Sequence, residues 1–214
     1  MKLALIGASG FVGSAVLTEA LQRGHDVTAI VSHPEKITTT DSKLTVKKGN
    51  ALDANSIAEL VTGHDAVVST FNAGWTNPNL YDDFLKGAEA IEQGTQQAGV
   101  KRYLFVGGAG SLEVALGVQL VDTPQFPAEW KPGALSARDY LTRLRQNTTL
   151  DWTFLSPAIN LAPGERTGTF RIGTEQPVFD EKGESKITVA DLAVAILNEI
   201  EQPQFVQKRF TVGY

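Results

Sequence analysis

The 214-residue sequence contains no cysteine, so disulfides, thiol nucleophiles and thiolate metal sites are excluded together. Any redox chemistry must then belong to a bound cofactor. Histidine is scarce: His25, His33 and His64 are the full set, and no two stand one helical turn apart as a metal-binding pair would. Positive charge is lacking too. The net charge is −5, the pI is near 5.2, and no run of Lys or Arg exceeds two residues, which argues against a nucleic-acid partner because phosphate binding needs a basic face. No stretch is long and apolar enough for a membrane span. The apolar N-terminus resembles a secretory leader, but three glycines interrupt it and it continues into Glu19, Gln22 and Arg23, so a cytoplasmic protein is expected. Linkers, repeats and low-complexity tracts are absent. With 42% hydrophobic residues, one globular domain over 1–214 is expected.

What is present is organised around residues 2–23, KLALIGASGFVGSAVLTEALQR. The apolar run at 3–6 suits a strand buried on both faces. Gly7, Gly10 and Gly13 follow at three-residue intervals, then Val12, Val16, Leu17, Ala20 and Leu21 recur at helical spacing, with Gly24 as a stop. The unit reads strand, glycine turn, helix. The first amides of such a helix have no internal partner and carry the positive end of its dipole, so a pyrophosphate fits there. Gly7 allows the sharp exit, Gly10 the close approach of phosphate and Gly13 tight packing of helix on strand, while Ser9 adds a hydroxyl. The spacing is G-x-x-G-x-x-G rather than the usual G-x-G-x-x-G of dinucleotide sites.

A second strand at 26–31 closes a βαβ unit of ordinary length. No carboxylate sits at its tip, whereas Ser32 and His33 can donate to a 2′-phosphate and Lys36 can supply charge; this favours NADP(H) and leaves NAD(H) open. Further strands are expected at 44–48, 66–70, 102–106 and 152–155, and helices at 56–61, 80–98 and 135–145. The turn containing Ala51 and Leu52 would flank an adenine ring. Phe71, Asn72 and Ala73, at the tip of the fourth strand, would face the middle of a dinucleotide, and 107–111 forms a second glycine-rich strand exit. Residues 112–133 show no period and hold Pro124, Pro127 and Pro132. The last third breaks the alternation, with a turn-rich loop at 163–168, short strands at 169–172 and 177–179, a helix at 187–200 capped by Thr188, and a final strand at 209–212.

The motifs GASGFVG (7–13), VSHPEK (31–36), VVSTFNAG (67–74), YLFVGGAGSL (103–112), WTFLSPA (152–158), PGERTG (163–168) and ITVADLAVAILNEIE (187–201), in this order, resemble the atypical short-chain dehydrogenase/reductase group. Within it the chain is similar to small NAD(P)H-binding proteins described as flavin reductases or biliverdin-reductase-B-like. The resemblance implies an α/β Rossmann fold, doubly wound, with a mostly parallel sheet, helices on both faces and a small irregular C-terminal extension. It also implies NADP(H) at Gly7, Ala8, Ser9, Gly10, Phe11 and Val12, at Ser32, His33 and Lys36, at Ala51 and Leu52, and at Phe71, Asn72 and Ala73. The nicotinamide would lie near Gly108, Ser111, Pro157 and Ala158. Relatives often carry Arg where Ser32 stands. Standard members use Tyr-x-x-x-Lys as a proton-donor pair, and no tyrosine here has lysine four positions on.

Hydride reduction of a ketone generates an alkoxide that needs a positioned acid. A flavin or conjugated tetrapyrrole instead delocalises the new charge and can take its proton from water, so the protein has only to hold and orient the partners. Phe71, Trp75, Phe126 and Trp130 are candidates to stack on such a ring, although core packing is the commoner role of an aromatic. Ser111, the candidate catalytic residue, either hydrogen-bonds the nicotinamide or the acceptor, or caps its glycine turn. Arg166 either meets an acidic group of the acceptor or is a surface arginine. The expected activity is NADPH-dependent reduction of a free flavin or similar acceptor, with flavin a substrate rather than a bound group and the protein a monomer or homodimer. A non-catalytic NADP(H) sensor resembling NmrA-like regulators is the alternative. An epimerase or dehydratase is disfavoured, since it would rely on the missing Tyr and Lys.

Overall fold

The computed structural model describes residues 1–214. In chain order the strands are β1 (Lys2–Ile6), β2 (Asp26–Val31), β3 (Leu44–Lys48), β4 (Ala66–Ser69), β5 (Arg102–Val106), β6 (Glu113–Ala115), β7 (Val118–Gln119), β8 (Asp151–Ser156), β9 (Asn160–Ala162), β10 (Arg171–Gly173), β11 (Lys186–Thr188) and β12 (Lys208–Gly213). The α-helices are α1 (Phe11–Gln22), α2 (Ala54–Val61), α3 (Leu80–Gln97), α4 (Lys131–Leu144) and α5 (Val189–Glu201). No helix is long and apolar enough to cross a membrane.

Because Leu3, Ala4, Leu5 and Ile6 are apolar on both sides of β1, that strand needs cover on both faces and takes the middle of the sheet. Leu3 and Leu5 pack with α1 and α5, Ala4 and Ile6 with α2, α3 and α4. Eight strands run in the order β10-β12-β8-β5-β4-β1-β2-β3, parallel throughout except for β10 against β12. This is the doubly wound Rossmann sheet, with its strand order reversing between β1 and β4, the place where such sheets open a crevice at their carboxyl ends.

Several boundaries differ from expectation for local reasons. Helix α2 begins at Ala54 rather than 56 because the Asp53 carboxylate accepts from Asn55 N at 3.0 Å and Ser56 N at 3.3 Å. Helix α4 begins at Lys131, not 135: Pro132 lies in its first turn, where a missing N–H costs nothing. Residues 112–133 contain the β6–β7 hairpin, turned at Gly117 with φ +70°, and two short 3₁₀ turns at Leu120–Asp122 and Ala128–Trp130. In the last third, 177–179 is not a strand, and β9 pairs with β11 in a separate parallel sheet that the sequence does not announce. Strands of three residues are set by partners far along the chain more than by their own pattern.

Two buried charges tie this C-terminal third down. Arg102 donates to Glu199 Oε1 at 2.9 Å and, through its other Nη, to Asp151 O and Thr153 Oγ1, both at 2.8 Å. Asp191, below the Thr188 cap of α5, accepts from Thr167 N (2.9 Å), Thr167 Oγ1 (2.5 Å), Gly168 N (2.7 Å) and the Tyr214 hydroxyl (2.7 Å). Burial pushes the Asp191 carboxyl up, but these hydrogen bonds outweigh it and hold it below 3.8.

Two outcomes follow. A Cβ on Gly13 would stand 2.1 Å from Gly7 O and 2.8 Å from Thr70 Oγ1, so Gly13→Ala should lower stability by about 1–3 kcal/mol in chemical denaturation; an unchanged midpoint would mean that α1 is free to back away. Because the folded Asp191 carboxyl is depressed, its contribution is complete above 3.8 and is lost as pH falls through the lower folded value. Asp191→Asn should therefore be less stable than wild type near neutral pH and lose less on acidification, whereas parallel stability profiles would refute this role.

Candidate functional site

The crevice at the β1/β4 reversal begins with Gly7, whose φ of +82° turns the chain out of β1. Thr70 Oγ1 donates to Ile6 O at 3.0 Å and is 3.2 Å from Gly7 O, latching the β1 exit to the end of β4. Thr70 is not legible as a site residue from the sequence beyond its place at the end of a buried run. Gly10 is the N-cap of α1, with φ −80° and ψ 175°; no side chain caps the helix, and no acid stands in its first turn. A Cβ on Gly10 would meet only Gly7 O, at 3.3 Å, so the approach to the helix amides is open. Around this mouth Ser9 and Phe11 are exposed, Val12 is half-buried and Ala8 is buried. The cradle suits a pyrophosphate.

Beyond β2, Ser32, His33 and Lys36 are all exposed. His33 Nδ1 lies 3.0 Å from Glu35 Oε1, so this patch also carries a carboxylate just past the strand tip. The Glu35 backbone amide, with His33 and Lys36, holds that carboxyl below the usual range. Leu52 is exposed beside half-buried Ala51. Leu52 and Phe71 both reach Gly87 of α3, where a Cβ would stand 3.3 Å from Leu52 Cδ2 and 2.4 Å from Phe71 Cε1. The half-buried Phe71 ring, 6.1 Å from that of Phe84, packs over Gly87 against the core. Asn72 Oδ1 accepts from Gly74 N at 2.7 Å, shaping the loop after β4, and Ala73 is half-buried.

At the other end, the turn after β5 packs against the first half of α4. A Cβ on Gly110 would lie 2.7 Å from Ala134 Cβ, and one on Gly108 would lie 3.9 Å from Ala137 Cβ. One turn before Ala137, Gly133 is covered by the Trp75 ring, 2.9 Å from where its Cβ would be. Gly133 thus faces Trp75 and Leu80, while Ala134 and Ala137 face the 107–111 turn, and none of the three carries a functional group. Tyr81 donates to Asp139 at 2.6 Å, Tyr103 and Tyr140 pair at 3.1 Å within the core, and Tyr214 serves Asp191. Burial raises the Tyr103 and Tyr140 phenols well above 10.0. Trp75 and Trp130 are 63% and 53% exposed at the first turn of α4, Phe126 is half-buried, and Pro157 and Ala158 are buried at the β8 exit.

Ser111 and Arg166 have partners that no sequence pattern reveals, 98 and 147 residues away. Ser111 is 3% exposed, and both its carbonyl and its hydroxyl accept from Arg209 Nη1, at 3.0 and 2.8 Å. It holds the turn. Arg166 donates from Nε to Glu19 Oε2 at 2.7 Å and from Nη2 to Glu19 Oε1 at 2.8 Å, as a half-exposed arginine paired within the fold. Its hydrogen bonds, with those of Arg23, hold the buried Glu19 carboxyl below 4.5.

Comparison with known proteins agrees with this geometry. A sequence model of the NAD(P)H-binding family matches residues 7–200. The uncharacterized Bacillus subtilis protein YwnB is 40% identical over 99% of this chain and 98% of its own length. A Bacteroides thetaiotaomicron structure, provisionally named an epimerase, is 44% identical with a TM-score of 0.94, covering 100% of this chain and 96% of its own. A Streptococcus pneumoniae structure, provisionally named an NADH-flavin reductase, is 36% identical with a TM-score of 0.84, covering 100% of this chain and 99% of its own. With the glycine cradle at the switch point and a likeness that runs end to end, the chain belongs to the NAD(P)H-binding family of atypical, NmrA-like short-chain dehydrogenase/reductases.

Proposed function

We propose that this protein is an NADPH-dependent reductase that passes hydride to a flat, conjugated acceptor, with a free flavin as the first candidate. The observation that carries this reading is the missing proton-donor pair: no tyrosine has lysine four positions on, and the hydroxyls of Tyr81, Tyr103, Tyr140 and Tyr214 are all hydrogen-bonded within the fold. The chain's cradle fits the cofactor, since the space before the Phe11 and Val12 amides is closed to no group and a side chain at Gly10 would enter it.

A bound nicotinamide cofactor supplies the hydride. The α1 amides hold its pyrophosphate, Ser32, His33 and Lys36 donate to the 2′-phosphate, and Ala51 and Leu52 flank the adenine. Turn 107–111, with Pro157 and Ala158 behind it, walls the nicotinamide end, and Trp75, Trp130 and Phe126 offer planar surface to the acceptor. No Tyr and Lys pair stands ready to protonate an alkoxide, which favours an acceptor that delocalises the incoming charge and draws its proton from water. The name of the Streptococcus relative supports the reaction but specifies NADH, so the assay sets NADPH against NADH. Glu35 beside His33 is the group that would favour a free ribose hydroxyl instead.

The decisive assay is consumption of NADPH, and separately NADH, by purified protein with and without FMN, FAD or riboflavin. Saturable, flavin-dependent oxidation with a higher kcat/KM for NADPH is expected. Tight binding without turnover on any acceptor would replace the reductase by a redox sensor acting through a partner. Gly10→Val should fold normally, because φ −80° is open to valine. Its NADPH affinity should fall by at least about a hundredfold, the loss of roughly 3 kcal/mol of charge-assisted hydrogen bonding; wild-type affinity would remove the cradle from the reading.

A further inference from the structure

Arg209, on β12, is 3% exposed and is the only charged group in direct hydrogen-bond contact with the 107–111 turn. Its Nη1 donates to both oxygens of Ser111, at 3.0 and 2.8 Å, and its Nη2 pairs with the Glu175 carboxylate. Glu175 is held in turn by Arg145 at 3.0 and 3.1 Å, beyond α4, and its carbonyl accepts from Glu113 N at 2.8 Å. The cluster thus joins β12, the start of the β6–β7 hairpin, the end of α4 and the exit of β5.

Stability does not account for this arginine. A buried guanidinium costs more than its ion pair returns unless every donor is satisfied, and an apolar residue of the same size commonly serves as well or better. Here the pairing is incomplete. Arg209 Nε is buried without a partner, as are the hydroxyls of Thr211, two residues on, and of Ser156, its register partner on β8. What an apolar residue cannot supply is two directed donors on Ser111. The turn needs them: three of its five residues are glycine, and its only backbone restraints are Gly107 N to Leu155 O and Leu112 N to Ala109 O, both at 2.9 Å.

We propose that Arg209 is a positioning residue for hydride transfer: by clamping Ser111 it fixes the 107–111 turn as a rigid wall for the nicotinamide and its acceptor, while the adenosine half of the cofactor is held independently by α1 and the β2 exit. This rests on the reductase reading. The test uses Arg209→Met, of similar reach without charge, and Arg209→Lys, which keeps the charge and loses the fork. Affinities for NADPH and for 2′,5′-ADP, which lacks the nicotinamide end, are measured by calorimetry alongside denaturant unfolding and flavin-dependent turnover.

Both variants should fold and bind 2′,5′-ADP as wild type does. Their NADPH affinity relative to 2′,5′-ADP should fall about tenfold, and kcat at saturating NADPH should fall about tenfold to a hundredfold, less for Lys than for Met. Adding Ser111→Ala to Arg209→Met should cost nothing further. An unchanged affinity ratio and kcat would overturn the proposal, and so would parallel weakening of both ligands with lost stability, the mark of a purely structural arginine. If Met does not fold, Lys alone decides by the same two readouts. Wild-type protein that binds neither these ligands nor NADH would remove the cofactor reading and this inference with it; wild-type protein that binds NADH alone is tested by the same ratio with NADH against ADP-ribose, and protein that binds NADPH without turning it over leaves the affinity ratio as the deciding result.

Discussion

The rest of the structure is built on the close approach of α1 to the β1 exit at Gly13. Gly13 leaves less than a side chain's width between α1 and the β1 exit, with Thr70 filling the gap from β4. Sheet and helix are therefore fixed at contact distance where the strand order reverses, and the unpaired amides of α1 open directly onto the crevice. The second helix of that face is set from the first: Arg23 at the end of α1 donates to Asn198 and Glu201 of α5, at 3.0 and 2.8 Å. Glu19, between Arg23 and Arg166, carries the same restraint to the 163–168 loop.

Segments that carry their own period were legible. Strand β1, helices α1 and α3 and the Thr188 cap of α5 follow from apolar spacing and a local hydroxyl, and the glycine turn follows from backbone sterics. Features decided by distant partners were not. Strands β9 and β11 exist because they meet each other, Ser111 is defined by Arg209, and Arg166 by Glu19. The start of α4 was obscured by Pro132, which reads as a breaker unless it falls in a first turn. Phe71 was rightly placed at the β4 exit, yet whether its ring faced ligand or core depended on Gly87 of α3 leaving room for it.

The two halves of the crevice are built on different principles. The phosphate end is made of backbone, so it recognises a charge common to every dinucleotide and reads little else. The opposite end offers few groups for acid–base work: each tyrosine hydroxyl is hydrogen-bonded within the fold and the Ser111 hydroxyl accepts from Arg209. On the reductase reading, selectivity at such a rim would come from shape and from the electronic character of what binds.

Strand β10 precedes β12 in the chain but has no other neighbour in the main sheet, and β12 is also the outer partner of β8. A nascent or refolding chain therefore holds β8 as an open edge, with β10 unpaired, until residues 208–213 arrive at the end of a crossover that includes α5. Such non-local closure is intrinsically slow and leaves a strand edge available to other chains meanwhile. Because β12 also carries Arg209, a chain that lacks 208–213 has neither the closed sheet nor the donor to Ser111.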